Sequence, residues 1–397
     1  GRINKLVHSV TPKSPRRTAG TSKSAGSGSP DGKGVEVESK PKGAVDDALA
    51  VTGGGKTLAT SSPDERRGTV AIKQAVPTLT IEQAGDVAFA EKRLYENKQP
   101  GVLLTNGTGT GKTFSGLGVV KRALDRGEQH IIIAAPNDAI LKAWMRTAKQ
   151  FFGINDIAQL EDTKDNGAGN RVVLTTYANF GQNNNLVNRP WSLVVTDEAH
   201  HLGQAEDGAS TDALKALRAL TWHKDGLYRR ADMLEPEAAA YVAANRRNKN
   251  KTEKYWEMEA KVRARFAELQ GQVPAKENKP KVLMLSATPF AYTFNLDNAE
   301  GYLFDFPEEN KNTVGRYNHP SPRSRFYIEN FGYRMRTGNL TQPENNVAGG
   351  ILQRRFAERL MKEGSMSGRT LNVDQDYGRH FVVVESSVGN RLEAMIE

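Results

Sequence analysis

Five short apolar runs recur through the middle of the chain: GVLLT (101–105), HIIIAA (130–135), RVVLTT (171–176), WSLVVT (191–196) and KVLMLS (281–286). Each is rich in Val, Ile and Leu and lacks polar–apolar alternation, so as a strand it must be buried on both faces. Amphipathic stretches separate them. FSGLGVVKRALDRG follows the first run and closes at Gly127. DAILKAWMRTAKQFF follows the second, with Asp138 expected as the N-cap and Ile140, Leu141, Trp144, Ala148 and Phe151 on one face. Doubly buried strands that alternate with helices define an α/β fold, a parallel sheet covered by helices on both faces. In such a sheet the strand ends converge on one edge.

Two segments have the look of a phosphate-binding loop, AVTGGGKT (50–57) and NGTGTGKT (106–113). The first satisfies the strict pattern because Ala50 opens it, whereas Asn106 does not. Context decides between them, because a phosphate loop needs a buried strand before it and a helix immediately after it. PKGAVDDALA before Gly53 is no buried strand, and LATSSPDERRG after Thr57 is interrupted by Pro63, so the first is expected to be a decoy in a linker. The second follows GVLLT and opens a helix. There Gly107, Thr108, Gly109, Thr110 and Gly111 are expected to wrap the phosphates of ATP. Lys112 would meet the β- and γ-phosphates, and Thr113 would ligate Mg2+. Asn106 is expected to point its side chain away from them.

WSLVVT runs into Asp197-Glu198-Ala199-His200. A carboxylate at a strand tip beside a phosphate loop can hold Mg2+, and a second can orient the attacking water; Asp197 suits the first role and Glu198 the second. KVLML ends in Ser286-Ala287-Thr288, small hydroxyl residues placed to hydrogen-bond toward that acidic turn. His200 and His201 are adjacent and lack a third ligand at metal spacing, so no metal beyond Mg2+ is expected.

In that order the segments resemble superfamily 2 helicases and translocases of the DEAH-box type. NGTGTGKT looks like motif I, AAPNDAI (134–140) like Ia, LTTYANF (174–180) like Ib, DEAH like II and SAT like III. The resemblance implies a RecA-like P-loop NTPase lobe over roughly 78–300. It implies an adenine-reading Gln83 and coupling through His200, Ser286, Ala287 and Thr288. It also implies sequence-independent contacts to nucleic acid, double-stranded DNA above all, through Pro136, Asn137, Thr176, Tyr177 and Asn179. Tyr177 and Phe180 also fit a core role. A narrower likeness over 321–397, including Lys362-Glu363-Gly364 and Arg369-Thr370-Leu371, is to strawberry-notch helicases and the phage DarB-like polyvalent proteins; Ala199 and Pro289 depart from the eukaryotic members. Such motors carry a second RecA-like lobe with an arginine finger, which this chain lacks in recognisable form, so weak ATP binding and slow turnover are expected of it. The implied setting is a phage polyprotein or virion complex, with an anti-restriction role, in a bacterial host's cytoplasm. The competing expectation is a nucleotide-gated DNA-binding or interaction module without productive turnover.

Composition frames the rest. The chain has 397 residues, no cysteine and a net charge of +9. Nine Lys/Arg against three acids place +6 of that in residues 1–43. Residues 1–76, rich in Gly, Ser, Pro and Lys, are expected to be a disordered basic arm with affinity for polyanions. No apolar run approaches the ~20 residues that span a bilayer, so an intracellular protein without membrane partners is expected. The lobe is expected to occupy 77–310, interrupted at 225–280 by a charged helical hairpin. Residues 311–397 are expected to be an interlobe linker and the start of a second lobe, truncated as in a fragment.

Overall fold

The computed structural model describes residues 62–106, 110–203, 210–290, 293–308, 320–336, 339–341 and 346–368. The decoy loop at 50–57 lies outside them, as does the Arg369-Thr370-Leu371 segment. Helix α1 (Pro63–Ala75) corrects the expected arm boundary at residue 76. Ser62 caps it: Ser62 Oγ accepts the Glu65 N–H at 3.2 Å, and Glu65 Oε2 accepts the Ser62 N–H at 2.8 Å. Pro63 starts this helix rather than breaking a structure, because a first-turn residue has no N–H to lose. The same reciprocal cap, Thr80 with Gln83, opens α2 (Ile81–Glu91).

The alternation then unfolds as expected of the sequence: β1 (Gly101–Leu104), α3 (Lys112–Asp125), β2 (Ile131–Ala135), α4 (Asp138–Phe152), β3 (Ile157–Gln159), β4 (Val172–Thr176), α5 (Tyr177–Gln182) and β5 (Leu193–Asp197). Helix α4 is capped by Asn137, whose side chain accepts the Ile140 N–H, so Asp138 is the first helical residue and not the cap. Its buried face is Leu141, Trp144, Ala148 and Phe152; Phe151 is 46% exposed, because the residue a full turn beyond Ala148 is Phe152. After β5 come α6 (Asp212–Leu220), α7 (Leu227–Leu234), α8 (Pro236–Asn245), α9 (Glu253–Gln272) and β6 (Lys281–Leu285). Helices α7 to α9 occupy the segment expected to be an insert. Among the described residues no helix is long and apolar enough to cross a membrane.

One sheet holds seven strands in the order β3-β4-β2-β5-β6-β1-β9, every pairing parallel, with β9 (Met366–Ser367) at the edge. Its register sets the final residues of three strands in a row: Leu104 pairs with Leu285, and Leu285 with Asp197. Successive residues alternate between two cores. Val102, Ile131, Ile133, Val195 and Leu283 face α2, α3 and α4 through Val87, Leu117 and Trp144. Leu103, Ile132, Val194 and Val282 face the other side, with Phe180 and Leu217. The sheet is therefore covered on both faces.

The chain beyond 311 departs from expectation. Helices α10 (Pro322–Phe331) and α11 (Asn346–Lys362) close the second core with Phe326, Tyr327, Phe331, Phe356 and Leu360. Between them lies the hairpin β7 (Arg334–Arg336) and β8 (Asn339–Thr341). Strand β9 then pairs with β1, and Ser367 O accepts the Thr105 N–H at 2.6 Å. Residues 320–336 and 346–368 thus belong to this lobe rather than to a linker. The cause is aromatic: Phe304 stacks on Phe326 at 5.0 Å and meets Phe356 edge-on at 5.0 Å.

Helix α3 approaches the sheet closely at Gly116, where an added Cβ would lie 2.5 Å from Trp144 Cη2 and 2.9 Å from Leu285 Cδ1. Gly116→Ala gains about 1 kcal/mol of helix propensity but overpacks the core by about 1–3 kcal/mol. A net loss of stability is expected in urea denaturation, and a raised midpoint would contradict this packing.

Candidate active site

The edge formed by the ends of β1, β6 and β5 carries the polar groups. Gly107, Thr108 and Gly109, the tip of the expected phosphate loop, lie outside the described residues. From Thr110 the path is clear. Gly111 caps α3 with φ +79, a left-handed conformation, and a Cβ there would sit 2.3 Å from Gln83 Nε2, so only glycine fits. Lys112 follows at the first helical position. Its Nζ lies 3.1 Å from Glu198 Oε1, across the end of the intervening strand β6.

Glu198 is a non-glycine residue at φ +50, a strained conformation at the turn after β5. Asp197 precedes it and is held from two sides. Trp144 Nε1 of α4 donates to Asp197 Oδ2 at 2.7 Å, and the Tyr177 hydroxyl of α5 donates to the Asp197 carbonyl at 2.6 Å. The Glu198 N–H donates to Asp197 Oδ1 at 3.0 Å. Burial pushes the Asp197 carboxyl above its ordinary range and Glu198 adds to this, while Trp144 and Lys112 oppose it. Burial also lifts the Tyr177 phenol well above its ordinary value, so it serves as a fixed donor.

His200 Nδ1 lies 2.9 Å from Ser286 Oγ and 3.5 Å from Glu198 Oε2. Burial, then His201, lowers its pKa, which favours the neutral ring. Ser286 is fully buried and its Oγ also accepts the Thr288 N–H at 3.2 Å. Ala287 lies between them, half-buried. Asn295 and Asn298 then grip the acidic turn, Nδ2 donating to the His200 carbonyl at 3.3 Å and to the Ala199 carbonyl at 3.4 Å.

The entrance to the loop holds a feature not foreseen. Asn106 is fully buried, and its Nδ2 donates to Asp86 Oδ2 of α2 at 2.8 Å; Ser115 Oγ of α3 donates to the same oxygen at 2.7 Å. The atypical Asn106 is thus a tie between α2 and the loop. A signal was present in the sequence, because Asp86 falls on the buried face of α2 beside Val87 and Ala90, and a carboxylate there requires donors. Gln83, one turn earlier, reaches the Thr110 carbonyl with Nε2 at 3.5 Å while its Oε1 caps α2.

The residues expected to touch nucleic acid follow β2 and β4. Pro136 is half-buried and Asn137 exposed. Thr176 caps α5 by accepting the Asn179 N–H, and Asn179 Oδ1 accepts from Thr175 Oγ1 at 3.2 Å and Asn183 Nδ2 at 3.3 Å. Tyr177 is corrected: its ring is buried and its hydroxyl is committed to Asp197, so it braces the acidic turn and cannot reach a phosphate. Among the described residues a separate group, His223, Asp225 and Glu300, has side chains of metal-ligand type. Its buried carboxyl, Glu300, already has partners. Lys224 Nζ lies 2.8 Å from Glu300 Oε1, and His223 Nε2 lies 3.1 Å from Oε2. Burial opposes ionisation of Glu300, but His223 and Lys224 outweigh it and hold the carboxyl at about 2.

Residues 71–224, less than half of the chain, match the family described as "Type III restriction enzyme, res subunit". No curated protein matches the sequence. Two solved structures from Sulfolobus solfataricus are similar. The SWI2/SNF2 ATPase core in complex with dsDNA is 16% identical with a TM-score of 0.41, over 74% of this chain and 44% of that one. The SWI2/SNF2 ATPase core domain is 18% identical with a TM-score of 0.30, over 46% and 41%. The chain thus spans less than half the length of either.

Two outcomes test this geometry. Asp86→Asn should disturb the loop entrance and weaken nucleotide binding about tenfold, the scale of one charge-assisted hydrogen bond; calorimetric titration with ADP measures it, and unchanged affinity would detach Asp86 from the loop. For Asp197 the folded carboxyl binds its proton more tightly than the unfolded one. Its stability contribution is therefore full below the unfolded pKa and is lost as pH rises through the folded value. Asp197→Asn should consequently melt no lower than wild type at pH 7, with any gap closing in acid. A variant markedly less stable at pH 7 would contradict the assigned burial penalty.

Proposed function

We propose that this lobe binds ATP with Mg2+, hydrolyses it, and uses the cycle to move on nucleic acid, DNA in the first instance. The observation that carries the proposal is the contact between Lys112 and Glu198 beside Asp197, at the common end of parallel strands. An ammonium from a helix N-terminus after β1 and two carboxylates after β5 form a site for a polyphosphate and a cation. The match of 71–224 to the res subunit of type III restriction enzymes supports it, since the matched span holds both groups.

The residues suit the implied cation. Hydroxyl and carboxylate oxygens are the donors Mg2+ takes, and Asp197 carries a carboxylate whose ionisation burial disfavours until a cation is near. Asp197 and Thr113 would hold it, and when bound it neutralises phosphate charge. Gln83, which reaches the Thr110 carbonyl beside the loop, would read the base in this proposal. Lys112 exchanges its partner: the γ-phosphate draws Nζ away and frees Glu198. The released carboxylate then orients water and takes its proton. Because His200 lies between Glu198 and Ser286, that release is felt at the end of β6 and by the segment bearing Asn295 and Asn298. This is the route from phosphate state to the rest of a motor. A second RecA-like lobe supplying an arginine finger belongs to the same proposal, as do DNA contacts by Pro136, Asn137, Thr176 and Asn179. The strawberry-notch and DarB-like setting, with its anti-restriction role, is the finer proposal for a parent protein.

Lys112→Ala should abolish ATP binding. Glu198→Gln should retain it and lower turnover by at least about 100-fold, the usual scale of a lost general base. Filter binding and phosphate release separate the two. ATP affinity surviving Lys112→Ala would sink the assignment, and binding without DNA-stimulated hydrolysis in wild type would favour a nucleotide-gated module.

A further inference from the structure

The hairpin of α8 and α9 has two differently charged regions. Along the shaft of α9 the cations are neutralised: Lys261 pairs with Glu257 at 3.0 Å, Arg263 with Glu259 at 2.8 Å, and Arg265 with Glu235 at 2.9 Å and Glu268 at 2.6 Å. At the turn this stops. Arg246, Arg247 and Lys249 are exposed, and none has an acidic partner within ion-pair distance among the described residues. Lys251 and Lys254 rest on aromatic rings instead. Lys251 Nζ lies 4.3 Å from the Tyr255 ring centre and 5.3 Å from that of Trp256; Lys254 Nζ lies 4.9 Å from that of Tyr241.

Trp256, beside Lys251, is 53% exposed. It meets Tyr255 edge-on, with ring centres 5.2 Å apart. Tyr255 is itself buried, which fixes the tryptophan's setting. Val262 and Leu269, at seven-residue spacing from Tyr255, are buried along the shaft, and both join Ala231 of α7 and Ala238 of α8 in a small core. The tip is therefore carried on a packed stem, at the end of α9 away from its junction with β6, about 30 Å along a helix of this length. A random solvated loop would pair its cations with the abundant acids of the insert and would not keep a large π-face half open to water.

We infer that the tip of this insert, Arg246, Arg247, Lys249, Lys251 and Trp256, is a binding surface for single-stranded nucleic acid. The cations track phosphates, and one base stacks on Trp256. The chemistry selects this occupant. Unpaired cations select a polyanion. An exposed indole beside Lys251 selects one with flat aromatic rings, which an acidic peptide lacks and an intact duplex keeps stacked inside. The surface is separate from the loops after β2 and β4. It rests on the nucleic-acid part of the proposed function and is independent of the ATPase part.

Tryptophan fluorescence reads the proposal directly. Of the four tryptophans, Trp144 and Trp191 are buried and Trp222 lies under Arg230, whose guanidinium is 3.8 Å from its ring centre. Titration of the full chain with single-stranded oligothymidine should quench the emission, and Trp256→Phe should abolish the quench. Combined Arg246→Ala, Arg247→Ala and Lys249→Ala should weaken binding about tenfold in anisotropy. It should also make the log–log salt dependence shallower by about 2, near 0.7 per lost phosphate contact. All four positions are exposed, so thermal melting and ADP binding should be unchanged. Wild type that binds the oligonucleotide without quenching, and a triple variant that binds with the same slope, would overturn this inference and leave the proposed function standing. Binding of polyglutamate equal to that of oligothymidine, with no quench, would also overturn it by pointing to an acidic protein partner. No binding to single strand or duplex by wild type would remove the nucleic-acid part of both.

Discussion

A carboxylate held out of water at the end of β5 is the constraint around which this edge is built. Asp197 is the point where the two cores of the sheet meet. Trp144, from the core of α2, α3 and α4, donates to its side chain, and Tyr177, from the opposite core, donates to its carbonyl. Each donor is a large buried aromatic with one polar atom, so it contributes both packing and a directed hydrogen bond. Repacking either face would move the acid. Burial makes this position costly for the charged form of the carboxyl.

The neighbouring groups share this poised character. Glu198 adopts a left-handed conformation uncommon for its residue type, and Lys112 meets it in the absence of phosphate. Both charges are partly exposed, so the pair itself adds little stability. Under the proposed function its consequence would lie in exchange, because a triphosphate would offer the ammonium more negative charge than one carboxylate does. Ser286, just after the intervening strand β6, meets His200, whose Nδ1 also lies 3.5 Å from Glu198 Oε2.

Two other parts of the molecule support the same edge by different physics. Asp86 fastens Asn106 and Ser115, a polar tie between α2 and the loop that opens α3, beside a second tie in which Arg122 of α3 pairs with Glu91 of α2 at 2.8 Å. At the other side of β1, Ser365 and Ser367 accept backbone N–H groups from Leu103 and Thr105. The strand leading into the phosphate loop is thus held on both sides, by β6 and by a segment that arrives more than two hundred and fifty residues later. The insert meets this side of the lobe through Arg229 of α7, which donates to the Gly181 carbonyl at the end of α5.

Local pattern alone determined five of the strands, β1, β2, β4, β5 and β6, most of the helices between them, and which of two glycine-rich segments could follow a buried strand. These depend on hydrophobic period and on helix starts, which neighbours in sequence carry. Thr80 with Gln83 was legible as a cap for that reason, and Ser62 with Glu65 carried the same spacing in a stretch whose composition masked it. The order of strands, and hence that Lys112 meets Glu198 across β6, was decided by tertiary structure, as were the commitment of Tyr177 to Asp197, the purpose of Asn106 and the return of β9 to β1. Each of these joins residues far apart in the chain through burial: a polar atom removed from water must find a partner wherever folding brings one, and sequence spacing does not encode which one that will be.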